Sequence, residues 1–167
     1  GLTLTFGQKS TPTDNRELGM TSNTLQLVDR SKLSSYFGSI REVGIFVDGS
    51  FRVGHTGYIR PSIAITDGDG SATFTRRHGG FKYGARVNYL PFGLFRAYGE
   101  SRGGDMVREV VPKLSIGTAF SYNVGISDRR GRESGSILYL NDENKEALPD
   151  YIKFVADFHF KYMGFSM

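Results

Sequence analysis

The 167-residue chain has no cysteine and no tryptophan, and only 5 prolines. Without cysteine there is no disulfide framework, no thiolate metal site and no thiol nucleophile, which constrains chemistry more than location. No stretch approaches about 18 consecutive apolar residues, so no transmembrane helix is encoded. A transmembrane strand needs only about 9–11 residues and escapes a hydropathy window, so a membrane β-barrel stays open. No polybasic block is present either. The 21 Lys and Arg are interspersed with 17 acids for a formal charge of +4, and the direction in which those cations point matters more than their sum.

Catalytic signatures are sparse. His55, His78 and His159 lie in three separate segments without an i, i+4 pair, and no G-x-S-x-G, H-E-x-x-H or P-loop pattern occurs. A hydrolase would have to assemble Ser121 and His159 from facing strands. "DGDGSATFT" from Asp67 resembles the start of a calcium loop but lacks the terminal Glu, and reads as a Gly-rich turn. The expectation is no enzyme, no metal, no cofactor and no nucleic-acid partner.

What the chain does have is 22 Gly, 13 Phe and 9 Tyr, a composition that favours many strands and tight turns over long helices. Period-2 alternation recurs in about six segments. Leu2, Leu4 and Phe6 oppose Thr3, Thr5 and Gly7; Val43, Ile45, Val47 and Phe51 oppose Gly44, Asp48, Ser50 and Arg52, with Phe46 the exception. Ile59, Ile63 and Ile65 oppose Arg60, Ser62, Ala64 and Thr66, with Pro61 marking a bulge or an irregular start. In "FKYGARVNY" the aromatic and aliphatic residues from Phe81 to Tyr89 oppose Lys82, Gly84, Arg86 and Asn88. Residues 113–127 and 151–162 are the longest and cleanest repeats.

Alternation alone does not say which face is wet: a soluble barrel buries the apolar face, whereas a membrane barrel shows it to lipid and keeps the polar face for its lumen. Two features favour the membrane. Several segments exceed the five or six residues usual in soluble sheets, and Tyr83, Tyr89, Tyr122 and Tyr162 sit near the ends of apolar faces, where an interfacial girdle places them. The opposite faces are rich in Gly, Ser and Ala rather than in the Lys and Glu of a soluble exterior. Connections alternate between long (9–41, 67–79, 128–150) and short ("RVGHT", "MG"), as when one membrane side carries loops and the other turns. The link from Pro91 to Pro112 breaks this rule and reads as an insertion or a register error.

The expected fold is therefore all-β, an antiparallel transmembrane β-barrel segment of about six to seven strands. Both termini read as strand, so residues 1–167 are expected to be part of a larger porin-like barrel, because six or seven strands cannot close one. Residues 9–41 form a long loop within it, expected to fold into the lumen with a short helix over "TLQLVDRSKLSSYFG" carrying Leu25, Leu27, Val28 and Leu33 on its apolar side. The polar faces and this loop collect Arg30, Lys32, Arg41, Arg60, Lys82, Arg86, Lys113, Lys153 and Lys161 against Asp48 and Asp157. Fixed cations in a narrow aqueous passage concentrate anions. These nine are the candidate anion-pathway residues; Lys153 and Lys161 have a plainer alternative, pairing with Asp157.

One stretch resembles a known family. "FGQKSTPTDNRELGMTSNTLQLVDRS" followed by "REVGIFVDG" is similar to the phosphate-selective porin O and P family: a strand ending in a G-Q-x-K-x-P element, an inserted loop with an R-S pair, and a strand of V-G-I-x-x-x-G form. "AITDGDG" looks like that family's "NGDG", "GARVNYLPFG" like its "GRVTYRPFG", and "FVADFHFKYMGFSM" like its "FKYRGFSL" hairpin. The resemblance implies an outer-membrane porin in the bacterial outer membrane, often a homotrimer, passing small anions such as phosphate. It maps the family's basic loop residues onto Arg30 and Lys32 and its lumen cations onto Arg41, Arg60, Lys82 and Arg86. Two other classes stay open: a structural or accessory β-barrel subunit of a larger outer-membrane complex, and a soluble ligand-binding β-barrel.

Overall fold

All six alternating segments are strands. In the computed structural model, which describes residues 1–27, 29–38, 41–68, 80–126, 140–145 and 147–167, they are β1 (Leu2–Ser10), β2 (Arg41–Gly49), β4 (Gly57–Thr66), β5 (Lys82–Leu90), β6 (Lys113–Asn123) and β7 (Tyr151–Tyr162). Two short additions complete one sheet: β3 (Phe51–Val53) prolongs β2 alongside β4, and β8 (Phe165–Ser166) folds back on β7. The order β1-β2-β4-β5-β6-β7-β8 is a meander in which every neighbour is antiparallel. The sheet is open, since β1 and β8 are its two ends. An all-β antiparallel architecture is thus established.

The local chemistry explains the breaks. The pairing of β2 with β4 stops at Asp48↔Ser62 and resumes in the same register at Phe51↔Ile59, and the gap lies beside Pro61, which has no N–H to donate. The "MG" turn is a two-residue hairpin: Met163 and Gly164 both have positive φ, 50° and 92°, the requirement of a turn whose twist matches the strands it joins.

The faces are inverted relative to a water-soluble sheet. Phe6 and Phe154 are each 69% exposed, and Ile63, Ile152, Phe158 and Phe120 are likewise bare. On the opposite parity Glu42, Lys82, Arg86, Ser115, Ser121, His159 and Lys161 are all buried. Phe46, the one residue that breaks the alternation, is 1% exposed on this polar side, with the Lys9 ammonium above its ring. What covers the polar face is the chain itself. Residues 11–38 lie over it with α1 (Arg16–Gly19) and α2 (Lys32–Phe37), and so does the link 91–112, which is kinked within Arg96–Ser101 where Ala97 and Tyr98 have φ of 48° and 56°. That link is an insertion and not a register error, because the pairing of β5 with β6 runs unbroken from Lys82↔Asn123 to Tyr89↔Ile116.

The expected helix over residues 24–38 is shorter than the sequence implied. Ser31 caps α2 by accepting from the Ser34 N–H, so the helix begins at Lys32, leaving Leu25, Gln26, Leu27, Asp29 and Arg30 outside it, and Gly38 ends it. Leu27 is exposed, Leu33 is exposed, and Val28 lies outside the described residues. So do the "DGDG" loop from residue 69 on, His78, and residues 127–139.

Candidate functional site

The polar face is held together by ions that come in pairs. Lys82 Nζ donates to Glu42 Oε1 at 2.9 Å, and Thr66 Oγ1 donates to the other carboxylate oxygen. Neither charged group sees solvent: the side chains are 6% and 0% exposed. Two strands further along the sheet, on β7, Lys153 Nζ binds the Asp14 carboxylate and also reaches the Phe37 carbonyl. Burial alone would raise the Asp14 carboxyl, but Lys153 and Lys82 outweigh it and hold it below the usual carboxylate range. Asp14 sits at the foot of the covering segment, so this pair fastens the segment to β7.

Asp157 is a second fastening. Its carboxylate receives Arg86 Nη2 at 2.6 Å, and from the segment both the Arg16 backbone N–H and Arg16 Nε at 3.3 Å. Arg86 also donates Nε to Asn88 Oδ1 and Nη1 to the Asp14 carbonyl, each at 2.9 Å. Arg16 Nη2 donates to Ser115 Oγ at 2.9 Å. The crossing needs Gly117, because a Cβ there would collide with Arg86 Nη2 and stand 2.7 Å from Asp157 Oδ1. Gly84 performs the same service for Thr13. Alongside lies a cavity of about 180 Å³ lined by Arg16, Arg60, Arg86, Asn88, Glu100 and Ser115. Arg60 pairs with Glu100 across it. Arg16 Nη1 and Glu100 Oε2 are buried there without a hydrogen-bond partner.

The link 91–112 is fastened by main-chain acceptors and carboxylates. Lys161 Nζ donates to the Gly104 carbonyl at 2.7 Å, His159 Nε2 lies 3.2 Å from the Gly103 carbonyl, and the His159 ring stacks on Phe95. Asp105 accepts from the N–H groups of Glu109 and Gly164, tying the link to the β7–β8 turn.

The nine candidate cations therefore divide. Arg86, Lys153 and Lys161 are covered clamps for the two overlying segments, while Lys82 is buried in a pair between two strands, with Glu42 of β2. Arg30 donates to the Met20 and Glu17 carbonyls within the segment and stays half-buried. Arg60 and Lys113 lie on the polar face and keep partial exposure, Lys113 donating to the Phe92 carbonyl. Lys32 is exposed at the start of α2. Arg41 is a correction to its expected place in the lumen. It opens β2 on the parity of Val43 and Ile45, exposed at the rim of the apolar face. The plainer alternative for Lys153 and Lys161 also fails, because Asp157 is taken by two arginines. Ser121 and His159 are not brought together: their strand partners are Lys153 and Ser115, six positions apart along β7 and β6.

Sequence reasoning missed Asp14, Arg16, Glu42 and Glu100. Glu42 was findable, since it shares the parity of Gly44 and Asp48; the other three lie in connections where no period places a side chain. No family model, no curated protein and no solved structure matches the chain.

Proposed function

We propose that this chain is a stretch of the wall of a bacterial outer-membrane porin that passes small anions through a basic lumen, lipid lying against the Phe and Ile face. One observation carries the reading: the apolar face is bare while the ionisable face is buried beneath the chain's own segments. In water an apolar expanse of this breadth is a liability, whereas lipid is the solvent it fits. Further strands, from the same chain or a partner copy, would close the open edges, since unpaired backbone in lipid costs several kcal/mol per group. A soluble ligand-binding barrel would need the Phe and Ile side chains covered, and they are not.

The anion pathway on this reading passes the cations that keep solvent contact, Arg30, Lys32, Arg60 and Lys113, while the covered cations hold the constriction in shape. The resemblance to the phosphate-selective porins supports phosphate-like solutes. In planar bilayers under a KCl gradient, the full-length protein should give a chloride-ward reversal potential, moved toward the cation side by the double variant K32E/K113E. A cation-ward potential in the unaltered protein refutes the anion reading. A closed, accessory barrel is the second reading, favoured by the pairing of Lys82, Lys153 and Arg86 with acids; absence of conductance would select it.

A further inference from the structure

Arg41 is left without a task on the polar face. It stands exposed on the apolar side of β2, and among the described residues no acceptor meets its guanidinium. The ladder places Lys9 and Glu42 on the other face, where Asp48 and Lys82 engage them. On the face of Arg41 itself stand Ser10, directly across the β1–β2 ladder, and Gln8, one step along the diagonal, both of which carry donors. Asp67, which follows the end of β4 and passes its N–H to the Val43 carbonyl, has a partner of its own. The height of Arg41 on the wall follows from what continues its parity: Val43, Ile45 and Val47 of β2, then Phe51 and Val53 of β3. At the usual strand rise and tilt the run from Val43 to Val53 covers about 25 Å, the height of the outward apolar band of an outer-membrane barrel. Arg41 is the first outward position past that band, level with lipid headgroups. The long links between β1 and β2 and between β4 and β5 leave from this end, and the short turn from β3 to β4 closes the other, which assigns Arg41 to the outer leaflet.

We propose that Gln8, Ser10 and Arg41 form an outward-facing seat for the phosphate of an outer-leaflet lipid, with the Arg41 fork on two phosphate oxygens and the Gln8 amide and Ser10 hydroxyl as further donors. A planar guanidinium matches phosphate in geometry as well as in charge. An anionic lipid surface attracts each cation held at its level, whereas in the apolar band below it an arginine would be costly. The seat is on the opposite side of the sheet from Lys82, Arg86 and Lys153, so a solute passing along the polar face does not meet it. The inference rests on the membrane part of the proposed function and is independent of conduction.

The test incubates the detergent-solubilised full-length protein with equal amounts of phosphatidic acid, whose phosphate monoester is open, and phosphatidylcholine, whose phosphate is offset by its choline. The protein is re-isolated and the retained lipid counted by mass spectrometry. R41Q should lower the retained ratio of phosphatidic acid to phosphatidylcholine by about fivefold, the worth of one arginine at an anionic lipid surface. An unchanged ratio in R41Q overturns the proposal. So does displacement of the phosphatidic acid by millimolar sodium phosphate, which would make the seat one for a free anion. Should R41Q not fold, a photoactivatable phosphatidic acid on the unaltered protein decides: labelling at Gln8 to Ser10 or Arg41 to Val43 supports the seat, and labelling confined to other strands overturns it. Anion conduction with an unchanged ratio removes the seat and keeps the porin; the fivefold fall in a protein without conduction keeps the seat and selects the accessory barrel.

Discussion

Replacing Glu42 with leucine tests whether the polar face is a desolvated interior or a wet wall. The carboxylate is 0% exposed, receives Lys82 Nζ at 2.9 Å, and accepts from the Thr66 hydroxyl. Breaking one half of a buried pair costs about 3–5 kcal/mol, because the remaining charge keeps its desolvation penalty and loses its partner. Asp14 also attracts Lys82, which places the expectation at the lower end, near 3 kcal/mol. Loss of the Thr66 acceptor adds about 1 kcal/mol. The double variant E42L/K82M removes both charges and should recover to within about 1–2 kcal/mol of the parent, so the coupling in the cycle is at least about 2 kcal/mol. The assay is urea unfolding of the full-length protein refolded into vesicles, followed by the mobility shift between folded and unfolded barrel on a gel. A loss under about 1 kcal/mol in E42L, with no recovery in the double variant, would refute the reasoning, since only a solvated carboxylate is that dispensable.

Asp157→Asn should loosen the segment 11–38, because Arg86 and two groups of Arg16 converge on that carboxylate; single-channel conductance should rise and a protease should cut within the segment sooner. Gly117→Ala should destabilise by about 2 kcal/mol or more, as the added methyl must displace the Arg86–Asp157 contact, and the same unfolding assay reads it. The Glu17 carboxylate is another lever. Burial would raise it, but donors from Ser34 and Ser31 prevail and hold it below its ordinary value. A depressed carboxyl stabilises fully above its unfolded value of 4.5 and loses that contribution as pH falls through the lower folded value. The protection of α2 amides, taken relative to their intrinsic exchange rate at each pH, should therefore fall as the pH drops below about 4.5, and E17Q should lack the response.

The strands and their two faces were legible because alternation is a local property: Ile116, Thr118 and Phe120 point together whatever the rest of the chain does. Even the misfit was visible, and Phe46 proved to be the one large aromatic side chain of that strand sunk into the polar side. What covers that face was not legible. Arg16 meets Asp157 across 141 residues, and Asp14 meets Lys153 across 139, distances at which no periodic signal survives. The helix over 24–38 was overdrawn because Leu25, Leu27 and Leu33 suit a helical face, while the cap at Ser31, a side-chain-to-backbone contact, decided where helix could begin. Arg41 was misplaced because it was counted with the loop 9–41, whereas β2 begins at it and gives it the parity of Val43 and Ile45.

If the wall closes as the proposed porin, the pairing of strand cations with acids carried by the covering segments also dictates an order of assembly. The segment 11–38 leaves β1 and returns into β2, two strands that lie side by side, so it can be laid against the wall while the wall is still an open sheet. Once a barrel closed without it, Lys153 and Arg86 would face the lumen while Asp14 and Arg16 hung outside, and threading the charged segment back through would mean stripping each ion of water twice. On that reading the segment would be a scaffold for insertion as well as a filling, and a chain that delivers it late should accumulate closed but leaky barrels.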